Sequence, residues 1–182
     1  MAPARLSFLQ DRDRYFKKGF INFITGFSNP CFRHMVWFRI CSMTSLYNPL
    51  GLMARLLLKV NQTLYGFQIP HTTSIGKGLF LAHYGTIVIN PNAVIGENCN
   101  IAQGVTIGRV NSGNLKGSPV IGNRVWIGPN AVLVGKIHIG NDVFIAPLSF
   151  VNVDVPDGCM VIGNPARIIE NKTSEGYINY FE

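Results

Sequence analysis

An apolar residue recurs at every sixth position in three runs between residues 69 and 151, and no other feature of this 182-residue chain restricts the fold as severely. Ile69, Ile75 and Leu81 form a first run. Ile89, Ile95, Ile101 and Ile107 form a second, and Ile121, Ile127, Leu133, Ile139, Ile145 and Val151 a third. A small or turn-forming residue commonly follows, as at Gly76, Gly96, Ala102, Gly122, Gly128 and Ala146. This period is neither the ~3.6 residues of a helical turn nor the simple alternation of a long strand. It is a short strand plus a tight turn, the unit of a β-solenoid. Three such units close one triangular coil of ~18 residues, and coils stack at the ~4.8 Å spacing of hydrogen-bonded strands. The register predicts Ile121 against Ile139 and Ile127 against Ile145, with the aliphatic side chains inward.

The beat breaks twice. Between Leu81 and Ile89 the step is eight, in "LAHYGTIVI", and the extra residues bring His83. Between Ile107 and Ile121 the step is fourteen, and "GRVNSGNLKGSPV" reads as a loop leaving the coil. Insertions in a solenoid project from one face and often carry function. The two breaks are therefore expected to border one groove.

Residues 1–66 lack the hexad and read as a helical cap, residues 67–169 as the solenoid, and 170–182 as an extended or short helical tail. "SNP" at 28–30 starts one helix and Asn48-Pro49 divides it from the next. Phe32, Met35, Val36, Arg39 and Ile40 would share one helix face, and Leu52, Leu56, Val60 and Leu64 another. The cap carries nine Lys/Arg against Asp11 and Asp13, while residues 67–182 balance, so the whole formal charge of +7 lies in the first third. Cations interleaved with Phe16, Phe20, Phe23, Phe27, Trp37 and Phe38 suit a helix resting on an anionic membrane. No signal peptide and no apolar run of transmembrane length is evident, which points to the cytoplasm with a peripheral contact at the inner face of the membrane. Cys31, Cys41, Cys99 and Cys159 show no metal spacing and read as reduced thiols. His71 reads as structural, His34 as part of the cap and His138 as solvent-facing; no set of them has ligand spacing, so no metal is expected. Nothing suggests nucleic acid.

The stretch "SIGKGLFLAHYGTIVINPNAVIGENCNIAQGVTIG", the fourteen-residue step and the terminal "GNPARII" resemble the left-handed β-helix acyltransferases. Within them they are most similar to the serine O-acetyltransferase branch and its relatives in polysaccharide biosynthesis. The resemblance covers about residues 66–170. It implies a mostly β fold, a left-handed parallel β-helix with an α-helical N-terminal region, a homotrimer, and acetyl-CoA bound between neighbouring subunits. It puts His83 at the position of the general base, where a neutral imidazole takes the proton of an attacking hydroxyl. It also points to Gly108 near the thioester, to Gly128, Ala146 and Pro147 along the pantetheine, and to Arg167 as a phosphate donor. Trp126 reads instead as an outward packing residue.

The chain departs from the serine acetyltransferase pattern at four positions. Ala82 and Gln68 stand where that branch carries Asp, and Gly117-Ser118 where it carries Arg-His. Those groups hold the charged ends of the amino acid, and a desolvated zwitterion needs them. The sequence-based expectation is therefore an acetyl-CoA-dependent O-acetyltransferase acting on a hydroxyl of a sugar or glycan precursor. The alternatives are a serine O-acetyltransferase of cysteine biosynthesis and a non-catalytic solenoid scaffold.

Overall fold

A computed structural model describes residues 4–16 and 25–178. Lys17, Lys18, Phe20 and Phe23 of the basic region and the last four residues of the tail lie outside them. Among the described residues three complete helices precede the solenoid: α1 (Ala4–Tyr15), α2 (Pro30–Met43) and α3 (Pro49–Tyr65). The starts of α2 and α3 follow from their sequence. Asn29 accepts hydrogen bonds from the N–H groups of Cys31 and Phe32, Asn48 accepts one from Leu50, and Pro30 and Pro49 lack the donor that a first helical turn leaves unused. Gly66, at φ 74°, ends α3 in the left-handed conformation and turns the chain into the first strand.

The strands form three parallel sheets. Sheet A holds β1 (Phe67–Gln68), β4 (Ile87–Ile89), β7 (Thr106–Gly108), β10 (Val132–Val134) and β13 (Phe150–Val151). Sheet B holds β2 (Ser74–Ile75), β5 (Val94–Ile95), β8 (Val120–Ile121) and β11 (His138–Ile139). Sheet C holds β3 (Phe80–Leu81), β6 (Asn100–Ile101), β9 (Trp126–Ile127), β12 (Phe144–Ile145) and β14 (Met160–Ile162), with β15 (Arg167–Ile169) antiparallel on β14. The chain visits A, B and C in turn, a left-handed β-helix. Columns of aliphatic residues fill the prism: Ile89, Ile107, Leu133 and Val151 behind sheet A; Ile95, Ile121 and Ile139 behind B; Leu81, Ile101, Ile127, Ile145 and Val161 behind C. Ile121 pairs with Ile139 and Ile127 with Ile145, the register expected from the hexad. Each such burial stabilises the fold by about 1.5–3 kcal/mol. Cys99 lies fully buried among them, its thiol pushed up to about 11 by burial.

The first coil has no coil beneath it, and its unpaired backbone groups fall to the cap. Asp11 accepts from the N–H of Gly78 at 2.7 Å and of Leu79 at 3.1 Å. Arg39 donates to Asp11 at 2.6 Å and to the carbonyl of Ile75 at 2.8 Å. Arg14 donates to the carbonyl of Gly78 and to Asn100, and the Tyr15 hydroxyl receives the N–H of Leu81 at 2.8 Å. Arg55 closes the C-terminal end of α2 through the carbonyl of Thr44 at 2.8 Å. Phe27 packs edge-on against Phe32 and Trp37, Phe16 against Phe32, and Phe38 is buried. Several of the cations and rings expected to face a lipid surface thus serve inside the cap. Helix α3 departs from its expected orientation: Gly51, Ala54, Leu58 and Asn61 are buried, and Leu52, Leu56, Val60 and Leu64 face outward. Small residues allow α2 and α3 to approach closely, which turns the larger side chains away. Among the described residues no helix is long and apolar enough to cross a membrane.

Beyond β15 the tail turns back across sheet C. Thr173 bridges Val143, the Ser174 hydroxyl meets the carbonyl of Arg124, and the Tyr177 ring closes on Trp126 and Phe144. Trp126 and Phe144 stack at 4.5 Å and 7°, so Trp126 is an outward packing residue.

Candidate active site

The prism has three edges; His83, Gly108, Gly128, Ala146 and Pro147 fall on two of them, and Arg167 lies apart from both. His83 lies on the edge between sheets C and A, in the turn from β3 to β4. The two extra residues make the first coil twenty residues long, from Gln68 to Val88, where the next, from Ile89 to Ile107, has eighteen. The widened turn is pinned from below. Tyr65 at the end of α3 accepts the N–H of Gly85 at 3.1 Å, Gly66 accepts that of Ile87 at 3.2 Å, and the rings of Tyr65 and Tyr84 meet edge to face at 5.4 Å. Gly85 has φ +143°, with the Gln103 side chain directly against it. The backbone is thus fixed while the His83 side chain is exposed, with no hydrogen-bond or ion-pair partner among the described residues.

Gly128, Ala146 and Pro147 stack on the same C–A edge in later coils. A Cβ on Gly128 would stand 2.7 Å from the nitrogen of Pro147 and 2.9 Å from the carbonyl oxygen of Ile145, so glycine is required for packing alone. Its N–H donates to Ile145 at 2.8 Å, and that of Ala146 to Val161 at 2.8 Å. Both backbones are committed to the coil, which leaves Pro147 and its neighbour Leu148 as the outward surface. Leu148 has φ +62° and is 70% exposed, a costly conformation for a bulky residue with no core packing to hold it.

Gly108 stands elsewhere, at the far end of β7, where sheet A meets sheet B. The fourteen-residue loop starts there. It folds as a short hairpin, with Val110 and Gly117 exchanging both backbone hydrogen bonds, over the corner formed by Gly135 and Lys136. The expectation that the two insertions border one groove is therefore corrected: within one chain they leave opposite ends of sheet A. Arg167 is exposed on β15, at the end of the solenoid opposite the cap.

The four departures divide in the same way. Ala82 is beside His83 on the C–A edge. Gln68 lies at the other edge and lines a groove of about 620 Å³ between α3 and the start of the first two coils. Ser118 closes on that groove, its hydroxyl 3.1 Å from the side-chain oxygen of Asn90, itself a lining residue. Lys59 on α3 lines it too, a residue missed by a reading of the hexad because α3 lies outside the repeat. Burial keeps the thiols of Cys31, pushed up to about 12, and Cys99 out of nucleophilic chemistry. Among the described residues no three of His, Cys, Asp and Glu gather as metal ligands.

The bacterial transferase hexapeptide family (six repeats) matches residues 118–152. A serine acetyltransferase of Synechococcus elongatus is 36% identical over 141 residues, 77% of this chain and 57% of that protein. A serine acetyltransferase of Helicobacter pylori is 35% identical over 117 residues, 64% of this chain and 68% of that protein. The crystal structure of a serine acetyltransferase from Brucella abortus in complex with coenzyme A superposes with a TM-score of 0.72 at 28% identity, over 93% of this chain and 67% of that one. The chain thus spans between about half and two thirds of the length of these relatives. They overturn the expectation of a sugar or glycan acceptor. That reading rested on four missing charges, and the relatives sharing the rest of the pattern are serine acetyltransferases. Nothing in the comparisons supports the polysaccharide branch. With the hexapeptide coil, the widened His83 turn and these relatives taken together, the chain belongs to the serine acetyltransferase family of hexapeptide-repeat acyltransferases.

Proposed function

We propose that this protein transfers the acetyl group of acetyl-CoA to the hydroxyl of L-serine, with His83 as general base. The observation that carries the reading is the turn at residues 82–86, which the end of α3 holds rigid while the imidazole stays unengaged. The ring takes the proton of the serine Oγ as that oxygen attacks the thioester carbon. A C–O bond forms and negative charge moves to the carbonyl oxygen, where a backbone N–H of the turn that follows Gly108 is the proposed donor. On collapse the C–S bond breaks, and the imidazolium returns its proton to the departing thiolate. The products are O-acetylserine and coenzyme A.

Acetyl-CoA is proposed to lie against the C–A edge, along Gly128, Ala146 and Pro147, with Arg167 toward its phosphates. The corners of that edge turn Pro147 and the exposed Leu148 outward beside the buried Ala146, an apolar strip that suits a narrow pantetheine arm. Gly108 and His83 leave opposite ends of sheet A, which supports a homotrimer in which the C–A edge of one subunit faces the A–B edge of the next. Residues 1–66 act as the cap, 67–169 as the acetyltransferase solenoid and 170–182 as the tail.

The test is thiol release from acetyl-CoA with L-serine as acceptor, together with light scattering for the assembly. The proposal requires a kcat/KM for serine in the ordinary enzyme range, ~10⁴ M⁻¹s⁻¹ or above. Coenzyme A binding without thiol release would overturn it in favour of a binding scaffold.

A further inference from the structure

A serine acceptor must bring its carboxylate and ammonium out of water, and this chain lacks the Arg-His pair at Gly117-Ser118. The groove at the A–B edge offers a replacement. Its polar lining consists of Lys59, Gln62, Thr63, Gln68 and Asn90, and Lys59 is the only charged residue among the described lining residues. The Lys59 ammonium has no hydrogen-bond or ion-pair partner among the described residues. The larger cleft, of about 780 Å³ beside α2, differs in kind. There Lys77 is paired with Glu97 at 3.3 Å, Arg39 with Asp11, and Arg55 is held by the carbonyls of Gly51 and Thr44. A cation in a concave site without a counter-charge is what a small anion requires, and the amides around it supply directional hydrogen bonds. The groove is also continuous with the insertion loop, since Ser118 is hydrogen bonded to Asn90.

We propose that Lys59 is the carboxylate anchor of the acceptor, taking over from the helical cap the task that the loop at residues 117–118 has given up. The inference rests on the reading of serine as acceptor and names the residue that sets its specificity. Gln68 lines the same space and its amide oxygen suits the acceptor's ammonium, while the hydroxyl is left for the His83 of a neighbouring subunit.

The experiment compares L-serine with L-serinamide, which keeps the hydroxyl and amine but lacks the carboxylate, in the full-length wild-type, Lys59→Ala and Lys59→Arg proteins. Lys59→Ala should lower kcat/KM for L-serine by ~10–100-fold, mainly through KM, as expected for loss of one charge-assisted contact. Its KM for acetyl-CoA and its kcat/KM for serinamide should stay within ~2-fold, and Lys59→Arg should recover most of the loss. An unchanged ratio of serine to serinamide in Lys59→Ala overturns the proposal while leaving the serine reading intact. If the wild type turns over neither compound, the serine reading fails, and calorimetric titration with L-serine decides the groove. Binding that disappears in Lys59→Glu upholds the anchor, and binding that is absent from the wild type or equal in the two overturns it.

Discussion

The two edges that flank sheet A are built in opposite ways. On the C–A edge every corner is tightly packed: Gly128 has no room for a Cβ, the backbones of Gly128 and Ala146 are bound into the next coil, and a single two-residue insertion is clamped by α3. On the A–B edge the hairpin after Gly108 rests on the corner at Gly135 and Lys136 through Leu115, while Gly113 within it has nothing within 4 Å of where a Cβ would stand. The first edge gives precision and no charge; the second gives charge and room. A general base has to be held to within a fraction of an ångström, whereas a carboxylate anchor acts over a longer range. The difference favours the proposed base on the packed edge and the proposed lysine anchor on the open one.

The largest expected effect is on the packed edge. His83→Ala should lower kcat by ~10²–10⁴-fold with little change in the affinity for coenzyme A. Wild-type kcat in the purified variant would remove the C–A edge from the chemistry and leave the comparison without its catalytic half.

A second prediction separates the chemistry from the fold beneath both edges. His34 is fully buried in the cap against Phe67, and burial lowers its pKa from 6.5 to about 4. The neutral ring is the folded form, so the unfolded chain binds more protons between these two values. Stability contributed by His34 is therefore complete above pH 6.5, falls as the pH drops toward 4, and is lost below it. The full loss is about 3 kcal/mol. Denaturant midpoints measured between pH 4 and 7 should show it, and His34→Phe should flatten this dependence. An equally steep profile in that variant would place the linkage elsewhere.

How much of this was legible follows from where the hexad runs. Inside it, inward residues, register and the His83 turn can be counted from the chain, because a β-coil repeats its geometry at every step. The error over the two insertions was also countable: the step after Leu81 leads from sheet C to A and the step after Ile107 from A to B, so they cannot share an edge. Outside the hexad the signal fades. Apolar size suggested Leu52, Leu56, Val60 and Leu64 as a packed face, yet close helix contact is decided by the small Gly51 and Ala54. Arginines that read as surface charge are the partners of a first coil with nothing below it. Lys59 carries no periodic mark at all; only the folding of α3 against the first coil brings it to Gln68. The expected sugar acceptor rested on charges missing from the solenoid alone, a count that left out the helical cap.

A third prediction contrasts glycines from the two edges. Gly128→Ala forces a Cβ against the Pro147 nitrogen and should destabilise by about 1–3 kcal/mol, the usual effect of overpacking beside backbone that cannot move. Gly113→Ala, at φ +73° in open space, should cost only about 1 kcal/mol for its left-handed backbone. Thermal unfolding of the two variants measures the difference. Equal losses would mean that the open edge is as constrained as the packed one.

The smallest effect expected concerns Leu148. Its φ of +62° continues a column in which Gly104 and Asn130 occupy the equivalent corners of earlier coils, at φ +75° and +58°. Gly and Asn tolerate that region, and leucine does not. Leu148→Asn should therefore raise stability by up to about 1 kcal/mol, seen as a small rise in Tm. Strain of this kind persists where an exposed side chain has a task, and on this edge the proposed task is contact with the pantetheine arm or with a neighbouring subunit. The gain in Tm should accordingly come with a rise in KM for acetyl-CoA or a weaker assembly. A variant that is more stable and unchanged in both would show that the packed edge carries strain without using it.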